Sequence, residues 1–175
     1  MGQERPTSYA GKEGSMNRYH LRRKEKEITE KGEMREILAS GRFTTVALCR
    51  DREPYVVTMN YGWDGDNEAL YFHCAHEGQK IDFIRANDRA CATVVEDHGY
   101  KHGECDHAYR TVVLRGMIEI VEDLDVKRHG LQVLLDHQEK EPDPIKKRNL
   151  NDDADYDKVS VLKMQIEGMT GKQGL

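Results

Sequence analysis

Apolar and polar positions alternate along much of this chain, in runs of strand length separated by short polar breaks. "RFTTVALC" (42–49), "PYVVTMNYGW" (54–63) and "EALYFHCA" (68–75) are rich in the β-branched and aromatic residues that suit a pleated, half-buried surface. The breaks between them, "RDRE" (50–53) and "DGDN" (64–67), read as turns, and Asp-Gly tolerates the positive φ that tight hairpins require. "RACATVVED" (89–97) is a fourth strand. "RTVVLRGMIEIVED" (110–123) is a long fifth, with Gly116 marking a bend or bulge. "VSVLKMQIEGMTGKQG" (159–174) is the sixth.

Three segments carry the helical period instead. "TEKGEMREILASG" puts Met34, Ile37 and Leu38 on one face and offers Gly41 as a stop. "EGQKIDFIRAND" (77–88) spaces Ile81, Ile84 and Arg85 as a short helix does, and Leu131, Leu134 and Leu135 form the apolar set of another. "HGYKHGECDHAY" (98–109) reads as a polar loop, and "KEPDPIKKRNLNDDADYDK" (140–158) as a charged excursion containing two prolines. Six strands, mostly joined by short turns, with short helices between them, predict a mainly β fold: an antiparallel barrel with helices packed outside. The folded unit is expected over 21–175, after a flexible polar lead at 1–20.

Composition narrows the function classes. In 175 residues, 37% are hydrophobic and 34% charged, which allows one ordinary core under a heavily charged surface. No apolar run reaches the roughly 20 residues of a membrane span, and the N-terminus lacks the apolar region of a secretory signal. A soluble, cytoplasmic protein without a membrane partner is expected. The net charge of −5, and the interleaving of acids with bases in "LRRKEKEITEK", argue against a nucleic-acid partner. The four cysteines (Cys49, Cys74, Cys91, Cys105) are scattered and read as free thiols rather than a disulfide framework.

The stretch "YFHCAHEGQKIDF" (71–83) concentrates candidate chemistry and admits two readings. His73, Cys74 and His76, with His98, His102, Cys105 and His107 in the polar loop, could be metal ligands. Strand alternation, however, turns His73 and Cys74 to opposite faces, and no Cys-x-x-Cys pair is present. In the other reading, the strand delivers the chain to a helix start. There, unpaired amides and the positive dipole end suit a phosphate, Gly78 permits close approach and Lys80 adds a charge.

Four ordered blocks then carry a resemblance: "LRRKEKEIT…EILASGRFTTVAL", "EPYVVTMNYGWDGDNEALYFHCAHEGQKIDFIRAND", "CDHAYRTVVLRGMIEIVED" and the terminal "GMTGK". Together, from about Leu21 to Lys172, they resemble the FMN-binding split-barrel superfamily, in the pyridoxamine 5′-phosphate oxidase-related branch that includes nitroimidazole-resistance (Nim) proteins. The resemblance implies a six-stranded split β-barrel that forms a homodimer, with FMN in grooves at the interface. It implies that Val57, Thr58, Met59 and Asn60 edge the flavin ring, that His73, Cys74 and Ala75 continue that wall, and that Gln79 and Lys80 hold the phosphate. Tyr109, Arg110 and Thr111 would approach the same groove, from the partner subunit. Cys74 stands where relatives often carry Ser or Thr, and Gln79 where they often carry a second basic residue; the helix-end amides are unaffected.

The implied function is an FMN-dependent oxidoreductase reducing a small acceptor such as a nitro-aromatic compound, with a nicotinamide as possible reductant and His73 as catalytic residue. The pyridoxamine-specific substrate residues do not map onto this chain. A non-catalytic flavin or haem carrier is the alternative, with His73 available to iron. Tyr61 and Trp63 could stack on a ring, but aromatics are enriched in interfaces, and a dimer interface is the expectation for both.

Overall fold

The computed structural model describes residues 21–175. The lead expected at 1–20 lies outside the described residues. A single 3₁₀ turn (Lys24–Lys26) leads into β1 (Glu27–Ile28), α1 (Lys31–Ser40), β2 (Phe43–Arg50), β3 (Glu53–Asn60), β4 (Gly62–Asp64) and β5 (Ala69–Cys74). Then follow α2 (Gln79–Ala86), β6 (Arg89–Lys101), β7 (Asp106–Val121), α3 (Leu124–Gln138), α4 (Pro142–Asn149), α5 (Asp153–Tyr156) and β8 (Ser160–Gly174). All strands join one antiparallel sheet in the order β3-β2-β6-β7-β8-β5-β4, with β1 added to β8. Because β4 continues directly from β3, the two ends of this order are covalently adjacent and the sheet curls into a barrel.

The expected barrel with outer helices is present, but among the described residues it has eight strands rather than six. The run 54–63, expected as one strand, changes partner at Tyr61: β3 pairs with β2 as far as Asn60, whereas Gly62–Asp64 pair with β5. The remaining addition, β1, has two residues and is too short to leave a periodic signature. The polar loop expected at 98–109 is mostly an extension of the β6–β7 hairpin, with a bulge between Asp97 and Tyr100 and Tyr100 opposite His107. A ribbon exposed on both faces needs no hydrophobic alternation, so the sequence there looks like a loop. Within 140–158, Pro142 opens α4, and a capping box between Asp152 and Asp155 starts α5. The irregularity expected at Gly116 is a register shift against β8, where a Cβ would lie 1.9 Å from the Gln165 carbonyl oxygen.

Two apolar clusters hold these elements. Inside the barrel, Met34, Ile37 and Leu38 of α1 and Ile81, Phe83 and Ile84 of α2 pack with strand residues such as Val46, Phe72, Leu114 and Met164. Outside it, Leu131 and Leu134 of α3 cover Ala69, Tyr71, Val121 and Val161. The period of two along β5 thus serves both clusters: Leu70 and Phe72 face the barrel, Ala69 and Tyr71 face α3. Tyr61 does not meet the expectation of an interface residue. It is fully buried in the barrel core, its hydroxyl donating to the Leu38 carbonyl at 2.6 Å. Trp63 is partly buried against the same cluster.

Candidate functional site

The barrel is split where β3 and β5 part. β3 pairs with β2 on one edge and, among the described residues, has no strand on the other. β5 pairs with β8 along its whole length but with β4 only at Ala69–Tyr71, so Phe72–Cys74 also keep one unpaired edge. Backbone N–H and C=O groups on such edges are an unused row of hydrogen-bonding partners. Along β3, Val57 and Met59 turn into the core cluster, whereas Thr58 and Asn60 are exposed. Thr58 meets Thr45 at 3.0 Å, and the Asn60 amide donates to the Arg42 carbonyl at 3.3 Å.

β5 hands the chain to α2 through residues 75–78. Gly78 sits at the helix N-cap with φ 127°, a conformation open essentially only to glycine, and no side chain caps the helix. Ile81 and Asp82 donate to the Gly78 carbonyl, so the first turn is wound and its leading amides face outward. Gln79 is exposed and Lys80 half-buried. Burial raises the Cys74 pKa, with the Lys80 charge pulling the other way, so Cys74 is a neutral thiol within the electrostatic reach of Lys80. Ala75 is exposed on the connecting turn.

The two histidines of the stretch have different roles. His76 is a clamp: its Nε2 donates to the Asp157 carbonyl at 2.8 Å and its Nδ1 pairs with the Ser160 hydroxyl at 3.0 Å. His73 is exposed, and its side chain has no hydrogen bond or ion pair among the described residues. It shares a cavity with Asn60, so the free edges of β3 and β5 open onto one space. No group of three or more His, Cys, Asp or Glu among the described residues is arranged to hold a metal ion.

Within one chain, Tyr109, Arg110 and Thr111 stand apart from this split, on β7 in the middle of the sheet. Arg110 Nε donates to Glu96 at 2.7 Å, and Ser40 bonds the same carboxylate at 2.7 Å. Burial works to raise the Glu96 pKa, but these bonds outweigh it and hold the carboxyl below its ordinary value. Thr111 donates to the Val94 carbonyl at 2.9 Å, and Lys172 lies 5.6 Å from the Tyr109 ring centroid.

The site also has a wall that the sequence did not announce. α3 ends beside the split, where the Gln138 amide donates to the Arg42 carbonyl at 2.9 Å and the Tyr61 carbonyl at 2.7 Å. α4 and α5 close the far side of the cavity, bringing Arg148 and Lys158 to its lining. The only signal for these residues was a charge-rich stretch with two prolines near its start, which does not distinguish a site wall from a solvated surface.

The donor set fits a flavin mononucleotide: an uncapped, glycine-started helix with a lysine in its first turn for a phosphate, and two free strand edges for a planar ring with its own donors and acceptors.

Residues 30–173 match the sequence model of pyridoxamine 5′-phosphate oxidases. An uncharacterised protein of Rhizobium meliloti (strain 1021) is 32% identical over 69 residues, covering 39% of this chain and 44% of that relative, so the match spans less than half of the relative's length. Among solved structures, a protein of Bacteroides thetaiotaomicron assigned to 5-nitroimidazole antibiotic resistance is 29% identical, with TM-score 0.71 over 84% of this chain and 86% of that one. An FAD-binding protein of Mesorhizobium loti is 25% identical, with TM-score 0.60 over 83% and 96%. A flavocytochrome of Azotobacter vinelandii shares the fold at TM-score 0.77 and 18% identity, over 91% and 75%.

Proposed function

This chain belongs to the pyridoxamine 5′-phosphate oxidase family, and from that premise we propose that it is an FMN-binding oxidoreductase, working as a homodimer, that reduces a small acceptor. The observation that carries the reading is that β5, whose edge is free at Phe72–Cys74, runs directly into the uncapped, glycine-started α2. Likeness to a 25%-identical FAD-binding protein supports a flavin, and likeness to a 29%-identical nitroimidazole-resistance protein supports a nitro-aromatic acceptor.

When bound, the flavin supplies the electron transfer. The chain's own residues orient and select. The Gln79 and Lys80 amides with the Lys80 ammonium hold the phosphate, and backbone groups of Val57–Asn60 and His73–Ala75 align the ring. His73 has no competing partner, so its imidazole is available to orient the acceptor or to deliver a proton to it. A nicotinamide is the proposed reductant. Tyr109 and Thr111 belong to the outer sheet face, from which a second copy could reach the split. Arg110, held by Glu96, contributes by fixing the end of that strand.

An absorption spectrum of the purified protein, repeated on the supernatant after heat release, tests the reading. A yellow protein that frees a compound with the mass of FMN is the expected result, with Lys80→Ala weakening FMN uptake about tenfold or more, the loss of one charge-assisted phosphate contact. A colourless protein that takes up neither FMN nor FAD would sink it. A Soret band in the same spectrum would favour the carrier reading, for which the unpartnered His73 is the candidate iron ligand.

A further inference from the structure

The cavity shared by Asn60 and His73 encloses about 670 Å³, within the rough range of 300–1,000 Å³ typical of small-molecule sites. Its floor is apolar: Leu131 and Leu134 from α3, Ile145 from α4, and Leu150 and Val159 near α5. The charged groups around that floor are not equivalent. Lys158 is tied to Asp155 at 2.5 Å, and the two neutralise each other. The Arg148 side chain, in the last turn of α4, has no hydrogen bond or ion pair among the described residues, and the same holds for the side chain of Glu139, the residue just beyond α3.

We propose that this cavity binds a compact planar molecule carrying one anionic group, the Arg148 guanidinium taking the anion and the leucine floor taking the ring. That this molecule is the electron acceptor rests on the oxidoreductase reading above. The guanidinium presents a planar fork of donors that matches a carboxylate in a two-point contact, and here no protein carboxylate occupies it. The apolar floor favours a flat hydrocarbon body over a sugar or a peptide. Glu139 lines the same space and disfavours a second anionic group, so the ligand is a monoanion. His73 enters from β5 on the side of the split, which aligns the ring of such a ligand with the edge where a flavin would lie.

The test uses two matched probes, 4-nitrobenzoate and 4-nitrobenzamide, titrated by calorimetry into the full-length protein with and without FMN. Flavin uptake is recorded separately by absorbance. The carboxylate is expected to bind about tenfold more tightly than the amide or better. Arg148→Gln, at an exposed position, is expected to erase that preference while leaving amide binding and the thermal midpoint unchanged. Saturating FMN should not displace the carboxylate. Equal affinity for the two probes, absence of binding, or an intact preference in Arg148→Gln would overturn the proposal. Competition by FMN would overturn it too, since the cavity would then be the cofactor's own. Carboxylate binding without FMN uptake would leave this site standing and remove only the flavin reading.

Discussion

His137 shows how much a single side chain can be asked to do in this fold. Its Nε2 donates to the Gly41 carbonyl at 2.6 Å, and its Nδ1 accepts from the Trp63 amide at 3.3 Å. One imidazole thereby ties α3 both to the end of α1 and to β4, and the bond accepted from Trp63 requires the neutral ring. Burial lowers its pKa from the ordinary 6.5; the bond to Gly41 pulls upward, and the Arg42 charge adds to the lowering. A histidine with a depressed folded pKa stabilises the native state fully above its unfolded pKa of about 6.5, and that contribution is lost as pH falls through the folded value. Urea midpoints recorded from pH 8 to 5 should therefore fall on acidification below about 6.5. In His137→Gln that step should flatten, on a lower baseline. An unchanged step would assign it to other groups. Asp64 titrates lower. Burial would raise it, but bonds from Asn67 and His129 prevail and hold it below its ordinary 3.8, so its loss belongs to a separate, more acidic window.

At the scale of elements, α3 decides whether there is a site wall at all. It lies directly on β4: a Cβ on Gly62 would come within 2.7 Å of the Leu134 backbone nitrogen and 2.8 Å of the Val133 carbonyl carbon. The contact is with backbone, which cannot rotate away, so Gly62→Ala must lift the helix. The expected cost is about 1–3 kcal/mol, the usual range for overpacking a close contact. Because α3 carries Leu131, Leu134 and Gln138 to the cavity, the same variant should bind 4-nitrobenzoate more weakly than its stability alone predicts. Denaturant midpoints and calorimetry on the one protein check both statements, and unchanged probe binding would separate the helix seat from the cavity. The change of partner between β3 and β4 belongs to this scale too. A strand signature records only that a segment is extended and which residues share a face. It carries nothing on which edge is paired, so the free edges that make the split were not legible in 54–63 or 68–75.

On the whole molecule, the outer face of β3, β2 and β6 is strikingly bare for a charged chain: Phe43, Val56 and Val95 are 63%, 60% and 58% exposed. The registers set Ala47 opposite Val56 and Cys91, and Thr45 opposite Thr58 and Thr93, so this is one continuous apolar and threonine surface. Unlike the face beneath α3, no helix among the described residues covers it. A patch of this kind on a folded domain marks an association surface, and an isologous dimer covers two copies at once. Val95→Lys should move the mass measured by light scattering from dimer to monomer, and FMN uptake should fall with it if Tyr109 and Thr111 act across the interface. A wild-type monomer would remove the dimer from the proposal. None of the described helices is long and apolar enough to cross a membrane.

The sequence by itself determined the elements that bury a periodic face: the α1, α2 and α3 apolar sets, the hairpin turns, the irregularity at Gly116 and the Gly78–Lys80 helix start. Hydrophobic burial is local in its signature, since each residue need only match the period of its own segment. What only the tertiary structure decided are relations between segments. It buried Tyr61 beneath Leu38, tied His76 to Ser160 while leaving His73 free, paired Arg110 with Glu96, and brought Arg148 to the cavity from a stretch that read as a charged excursion. Polar contacts across 14 residues, as for Arg110 and Glu96, or 84, as for His76 and Ser160, obey no sequence period. They are selected by the geometry that apolar packing has already imposed.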